Sequence, residues 1–514
     1  MISNTGLFSL KNNYDSAIAG LIGALLVLLF TKHGGIGLEP DSIVYLSTAR
    51  NIIHGGGFFE FEDIPMTDFP IGYPAFLSFV LFITNTDILQ CAIFINMALY
   101  FCLIYISGGI INHIATKNRW IKIPFLFLIV FSPALLSLYT MLLSETLFLV
   151  MCLMFFMALH QYGKKKTILA LAVVATIAGL SCIVRYAGVT LLGAGGLMIL
   201  LDRRLQMRKK IGHLALFGAI GISFLTANLV RNYLITDQPM GDREKSLTSL
   251  FQNIQNYACV FSRFFHYQGF PMTFVILIAI SFFIFHIYLH FIHSYKVSRC
   301  YNYWNICATY FIIYSLFIIL SATFSRFETL DVRLLSPLFL PCLLPFSFVI
   351  TWMISRQKGL KKYSLISLVV MLFGVIIFLQ YRDDRKAYLI ANESGIPGYA
   401  EDCWKDSPIL NYIKNNPKRF KDNPRIYSDG NEAVYLFTGL KAEIVPHVES
   451  DSENSDFMED QQNETYLVWF YENADPELVS LKTLLKKNKY KKLISSPEGC
   501  IYYHPAPTEN QSLN

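Results

Sequence analysis

The stretch LEPDSIVYLSTARNIIHGGGFF, residues 38–59, follows directly on an apolar run from Ala17 to Thr31. That run has little basic flank and no small-residue cleavage site, so it reads as a retained membrane span and not a signal peptide. In the stretch itself, Asp41 opens an amphipathic segment, Ser42 to His54, which Gly55-Gly56-Gly57 ends. Asp41 falls at an expected N-cap position, where a carboxylate accepts backbone hydrogen bonds. The same carboxylate at a bilayer surface can deprotonate an acceptor hydroxyl. Glu39, two residues earlier, can share that role or shift the pKa by like-charge repulsion. Tyr45, one turn on from Asp41, either orients a ligand or anchors the interface.

Outward from this loop the chain is a membrane protein. Of its 514 residues 54% are hydrophobic and only 16% charged, with a mean hydropathy of +0.42, whereas soluble domains carry about 25% charged residues. Eleven spans are expected: 16–31, 88–115, 123–139, 145–163, 167–184, 186–201, 211–230, 272–295, 305–325, 334–355 and 363–381. The segment 74–84 is too short to cross and reads as interfacial. With eleven spans, five basic loops fall on one side together with Lys11. They are Lys117/Arg119/Lys122, Lys164/Lys165/Lys166, Arg203/Arg204/Arg208/Lys209/Lys210, Lys296/Arg299 and Arg356/Lys358/Lys361/Lys362. That side is expected to be the cytoplasm, which puts the N-terminus inside and the C-terminal tail outside.

Charge also divides the chain. Residues 382–514 hold 16 Lys+Arg and 22 Asp+Glu, leaving 27 and 15 for residues 1–381, so the net charge steps from +12 to −6. The expected organisation is therefore a transmembrane domain over 1–381, with a first outer loop at 33–87, and an extracytoplasmic α/β domain over 382–514. Strands are expected at 425–429, 465–471, 491–495 and 500–504, helices at 406–415 and 476–487, and a solvated acidic loop at 449–460. The end after Pro505 is expected to be disordered. Cys403 and Cys500 in the tail could pair; the other cysteines read as inert buried thiols.

Further polar residues are expected at the outer mouths of the spans. Ser144 is expected to cap a span with Glu145 in its first turn, where the helix dipole suits an acid. Pro70 and Pro74 bracket Gly72-Tyr73 and force an extended entry to a short helix. Arg185, Arg326 and Arg333 can either snorkel or hold a lipid phosphate with their forked donors. His286, His290 and His293 form no metal pattern and read as interfacial. No phosphate-binding glycine loop occurs, and nothing suggests a nucleic-acid partner.

These segments resemble the GT-C glycosyltransferases, in particular the dolichyl-phosphate-mannose protein mannosyltransferase-like group (glycosyltransferase family 39-like), which includes bacterial relatives and the lipid A aminoarabinose transferase. The matches are Asp41 and Tyr45 with Ala49-Arg50, the glycine run and Phe58; Pro70-x-Gly-Tyr73-Pro74; Ser144-Glu145-Thr146-Leu147-Phe148; and Arg333-Leu-Leu-Ser-Pro337. The resemblance spans roughly residues 10–380. It implies a GT-C-like polytopic α-helical membrane protein that transfers a hexosyl or pentosyl group from a polyprenyl-phosphate donor, with inversion, to an extracytoplasmic glycan, lipid or protein. It implies a catalytic Asp41 and a donor-phosphate role for Arg333; Arg185 and Arg326 join on charge and sidedness, and Glu39, Glu145, Tyr45 and Tyr73 as companions. The family often shows an adjacent Asp-Glu pair, whereas here Ser42 follows Asp41 and the second acid precedes it. Two nearby acids could take a divalent cation, Mg²⁺ or Mn²⁺, although no ligand pattern demands it. The rival readings are a transporter or flippase, which would place ionisable groups near mid-span, and an O-antigen polymerase or ligase.

Overall fold

The computed structural model describes residues 10–115, 118–241, 245–293, 300–326, 329–421, 424–448, 450–460, 463–471, 475–487 and 490–505. Lys117, Lys296, Arg299, Glu449 and the end after Pro505 lie outside them. In chain order the helices are α1 (Leu10–Phe30), α2 (Pro40–Ile53), α3 (Gly72–Thr84), α4 (Ile88–Ile114), α5 (Arg119–Val130), α6 (Pro133–Tyr139), α7 (Ser144–Lys165), α8 (Ile168–Val184) and α9 (Val189–Leu200). They continue as α10 (Met207–Thr236), α11 (Leu250–Phe264), α12 (Met272–Tyr288), α13 (Tyr303–Phe324), α14 (Val332–Leu335), α15 (Phe339–Arg356) and α16 (Gly359–Ser394). The chain divides into two compact units, 1–32 with 65–392 and 33–64 with 393–514.

The first unit is a helical bundle. Among the described residues, eight helical stretches are long and apolar enough to cross a membrane, or nine when the bent pair α5–α6 counts as one span. The chain is a multi-pass membrane protein. The 52° bend of that pair has a local cause: Ser132 caps α6 and Pro133 opens it. The expected spans 167–184 and 186–201 correspond to shorter apolar helices, α8 and the stretch Tyr186–Leu200. The last helix runs to Ser394, so the charge step after residue 381 falls inside it. The histidines differ from the interfacial expectation: His286 is buried with Nδ1 on the Phe282 carbonyl (2.7 Å), and His290 is buried against Thr309 Oγ1 (2.7 Å).

The second unit joins the first polar loop to the tail. Its further helices are α17 (Asp402–Lys405), α18 (Pro408–Asn415), α19 (Asn431–Thr438), α20 (Asp451–Asp460) and α21 (Leu481–Lys487). Its strands are β1 (Arg425–Ser428), β2 (Glu443–Ile444), β3 (Thr465–Phe470), β4 (Lys491–Ser495) and β5 (Gly499–His504), in the order β2-β1-β3-β5-β4. β1 pairs in parallel with β2 and β3, while β5 runs antiparallel to β3 and β4. Alternation along the strands fills two cores. Ile426, Tyr466, Val468 and Ile501 pack with Ile409, Leu410 and Ile413 of α18 on one face. Tyr427 and Leu467 pack with Phe457 of α20 and Leu484 of α21 on the other. The acidic stretch is thus a helix rather than a loop, because Phe457 gives it an apolar anchor. Cys403 and Cys500 are free thiols: Cys403 is exposed, whereas Cys500 is buried in β5 beside the Tyr471 hydroxyl (3.5 Å).

Loop 33–64 is held within this unit by defined contacts. The Tyr399 N–H donates to the Leu38 carbonyl (2.8 Å), and His33 Nε2 meets Asp402 Oδ2 (2.8 Å). Gly398, at φ +102°, is required at this crossing, since a Cβ would sit 2.4 Å from the Leu38 carbonyl oxygen. The glycine run after α2 has the same logic, with Gly55 at φ +81° and Gly57 at φ +80°.

Candidate functional site

In the helical unit, three residues from distant points of the sequence meet on one carboxylate. Glu145 is fully buried in the first turn of α7. Arg185 follows the end of α8, where the chain turns from helix to extended backbone. Arg333 lies on the short helix α14, whose N-cap Asp331 accepts the Leu334 N–H (2.9 Å) and so fixes the turn. Arg333 Nε donates to Glu145 Oε1 at 2.5 Å and Arg185 Nη1 contacts the same oxygen at 2.6 Å. Both guanidinium side chains are about one-sixth exposed, at 17% and 16%, so the pair is sheltered yet reachable.

A buried carboxylate is stable only when paired, and here two forked donors converge on one oxygen, an arrangement of the kind that also grips phosphate oxygens. Ser144 is not the cap of α7, as the sequence suggested; Leu143 holds that place. The Ser144 hydroxyl instead accepts from Arg185 Nη1 (2.9 Å), which orients the fork. Tyr73 is fully buried, with its hydroxyl beside Thr146 and near Glu145. Arg326 lies in the connection between α13 and α14 and is not one of the two arginines on Glu145.

The second unit carries Glu39, Asp41 and Tyr45. Glu39, not Asp41, is the N-cap of α2: its N–H donates to Ser42 Oγ (3.0 Å). Pro40 occupies the first helical position, where its missing N–H costs nothing. This shift moves Asp41 into the first turn, half-buried, with no capping duty. Tyr45 is buried at 2% exposure, so it is part of the packing of α2 and no surface anchor.

Around α2 the fold gathers carboxylates that sequence reasoning missed. α19 packs on α2, and the charge of Asp41 acts on Glu432 of α19. Burial pushes the Glu432 pKa up, and Asp41 adds to the rise. The Tyr399 hydroxyl donates to Glu432 Oε2 (3.2 Å). Asn431 donates to Glu62, whose pKa is raised to about 7 by burial and by the neighbouring Glu432 and Glu443. Asp429, at the carboxyl end of β1, takes the Phe470 N–H (2.9 Å) and is raised to about 8 by burial. The only sequence signal was Asp429-Gly430-Asn431-Glu432 after an apolar strand, a turn signature that does not announce burial. Among the described residues, no group of three or more His, Cys, Asp or Glu is placed to hold a metal ion.

Chain-wide comparison places this architecture. The structure aligns with ArnT from Cupriavidus metallidurans in its apo state at a TM-score of 0.59 and 9% identity, covering 95% of this chain and 97% of that one. It aligns with the same protein bound to undecaprenyl phosphate at 0.57 and 11%, covering 98% and 99%. A third alignment is with the archaeal oligosaccharyltransferase AglB from Archaeoglobus fulgidus, in complex with an inhibitory peptide and a dolichol-phosphate, at 0.53 and 10%, covering 98% and 76%. The fold is that of the GT-C glycosyltransferases. No family model and no curated protein matches the sequence. At these identities the GT-C likeness concerns architecture, and the chemistry has to be argued from the residues of this chain.

Proposed function

We propose that the chain is a GT-C glycosyltransferase that moves a sugar from a polyprenyl-phosphate carrier to a hydroxyl of an extracytoplasmic acceptor, with inversion. The observation that carries this reading is the convergence of Arg185 and Arg333 on Glu145 in a sheltered site. A phosphate monoester is the anion such a fork fits: two planar donors set by a fixed carboxylate, with reach into a partly open site. Two of the structural neighbours carry undecaprenyl phosphate or dolichol-phosphate, which supports the same donor here.

In this mechanism the half-buried Asp41 accepts the proton of the acceptor hydroxyl. The acceptor oxygen attacks the anomeric carbon, and the bond from that carbon to the phosphate oxygen breaks. The carrier leaves as polyprenyl phosphate, and the negative charge it gains is met by Arg333 and Arg185. Asp41 takes the base role from the resemblance of its loop to the GT-C family, and it stands in the first turn of α2. The five basic loops support a cytoplasmic N-terminus and an extracytoplasmic second unit; labelling of the exposed Cys403 from outside the cell tests that orientation.

The test of the reaction is sugar transfer from a synthetic polyprenyl-phosphate sugar by the purified chain and by Asp41→Asn. Loss of transfer of about 10²–10⁴-fold with the fold intact is expected for a missing general base. Normal transfer by a folded Asp41→Asn protein sinks the assignment.

A further inference from the structure

The tail is acidic overall, yet its positive charge is gathered at one place. Of its 16 Lys and Arg residues, nine fall in two short runs, KRFKDNPR at 418–425 and KKNKYKK at 486–492, which contain one acid, Asp422. Strand register brings the runs to one end of the sheet. Arg425 opens β1 opposite Thr465, Thr465 opens β3 opposite His504, and Lys491 opens β4 opposite Tyr503. The other end, after β1, holds the buried Asp429 and the half-buried Glu432. The sheet is therefore polarised from base to acid along its strands.

The basic end is shaped as well as charged. An open groove of about 640 Å³ is lined by Lys418, Arg419, Lys421, Arg425, Glu464 and Tyr503, among others. Its cations are presented by an ordered turn. Phe420 is buried in the core with its ring 4.8 Å from that of Tyr466, so Lys418, Arg419 and Lys421 are held outward around it. Arg419 is tied at both ends, donating to the Tyr412 hydroxyl (2.9 Å) and accepting from the Tyr466 hydroxyl on its carbonyl (3.1 Å). Pro424 and Arg425 also wall a second cavity of about 240 Å³, lined by Glu62, Lys441 and Glu443. One trough thus leads from a cationic stretch into mixed hydrogen-bonding groups. Among the described residues of the two basic runs, none is an exposed large hydrophobic. A membrane-docking patch needs such side chains beside its lysines.

We infer that the basic end of the sheet is a binding groove for an acidic glycan, that is, a carboxylate- or phosphate-bearing saccharide chain serving as acceptor or as the polymer that carries it. This inference rests on the glycosyltransferase reading. A row of fixed cations draws a polyanion from solution, and the hydroxyl-binding groups beyond Arg425 meet its neutral portions. The groove thereby selects acceptors by charge.

The test uses the full chain in phosphatidylcholine nanodiscs, with fluorescent hexagalacturonate as probe and maltohexaose as the neutral control. The wild type is expected to bind hexagalacturonate in a salt-sensitive manner and to ignore maltohexaose. The exposed double variants Lys418→Glu/Lys421→Glu and Lys491→Glu/Lys492→Glu are each expected to weaken binding about tenfold or more. Absence of hexagalacturonate binding, equal binding by wild type and both variants, or binding of phosphatidylglycerol vesicles in place of the saccharide overturns the inference. Transfer activity is read separately. A wild type that transfers sugar but binds no hexagalacturonate removes only this inference, and a wild type that binds the saccharide but transfers no sugar removes only the proposed function.

Discussion

Glu145 of the helical unit is buried, and in the second unit Asp429 is buried with Glu432 and Glu62 half-buried; these carboxyls are kept from unfavourable charge in opposite ways. Glu145 is met by two guanidiniums, so it is an anion inside a cationic frame. The charges that face Glu62 and Glu432 are other carboxylates, and burial raises all three pKa values. The first arrangement holds a carboxylate ionised; the second holds carboxyls protonated. Burial alone therefore says little about the role of an acid. The sign of what faces it decides.

The largest effect expected from this contrast is at Glu145. Glu145→Ala strands two partly buried guanidiniums and should cost about 3–5 kcal/mol of stability, read by thermal unfolding in detergent. A change near zero would mean that the arginines are solvated and the site is not sheltered. Next comes Arg333→Gln, which leaves Glu145 and Arg185 as a neutral pair. Stability should change little, whereas affinity for polyprenyl phosphate should fall by about tenfold or more, as for loss of a charge-assisted hydrogen bond worth roughly 1.5–3 kcal/mol.

The second unit should respond to pH in a defined direction. Asp429 holds its proton in the fold up to about pH 8, whereas its ordinary value is 3.8. The folded state thus binds more protons between these values, and stability falls as pH rises through that window. Asp429→Asn keeps an oxygen for the Phe470 N–H and removes the ionisation. It should stabilise the protein at pH 8.5 by on the order of 1–2 kcal/mol and do nothing at pH 4. A stability that rises with pH, unchanged in the variant, would show that Asp429 ionises freely. The smallest effect is expected from Tyr399→Phe, which removes one donor to Glu432 and should cost about 1 kcal/mol, seen as a small shift in the same melting curve.

The same contrast explains what was legible in the sequence. Long apolar runs declare themselves, because a bilayer demands about twenty residues each, and helices were found at all the expected positions. α8 and the stretch Tyr186–Leu200 fall short of that length, which composition does not reveal. In the tail, β3 and β5 show plain alternation, but β2 has only two residues, and the acid-rich α20 depends on Phe457 alone. Asp41 was misplaced by one turn-defining detail: proline at the first helical position hands the cap to Glu39. Ser144 differs in the same way, since Leu143 is the cap and the Ser144 hydroxyl accepts from Arg185 and donates to Glu145. Glu145, Arg185 and Arg333 stood out as charges at span ends, whereas their meeting on one oxygen is a tertiary fact. Glu62, Asp429 and Glu432 gave no warning, because polar residues in a polar loop or tail look solvated until the unit folds around them.

The central claim is that the frame of Glu145, Arg185 and Arg333 receives a polyprenyl phosphate. Native mass spectrometry of the purified full chain tests it most directly. The account predicts a polyprenyl-phosphate adduct on the wild type that is lost from folded Arg333→Gln. An adduct of equal occupancy on both proteins, or none on the wild type after incubation with undecaprenyl phosphate, would contradict it.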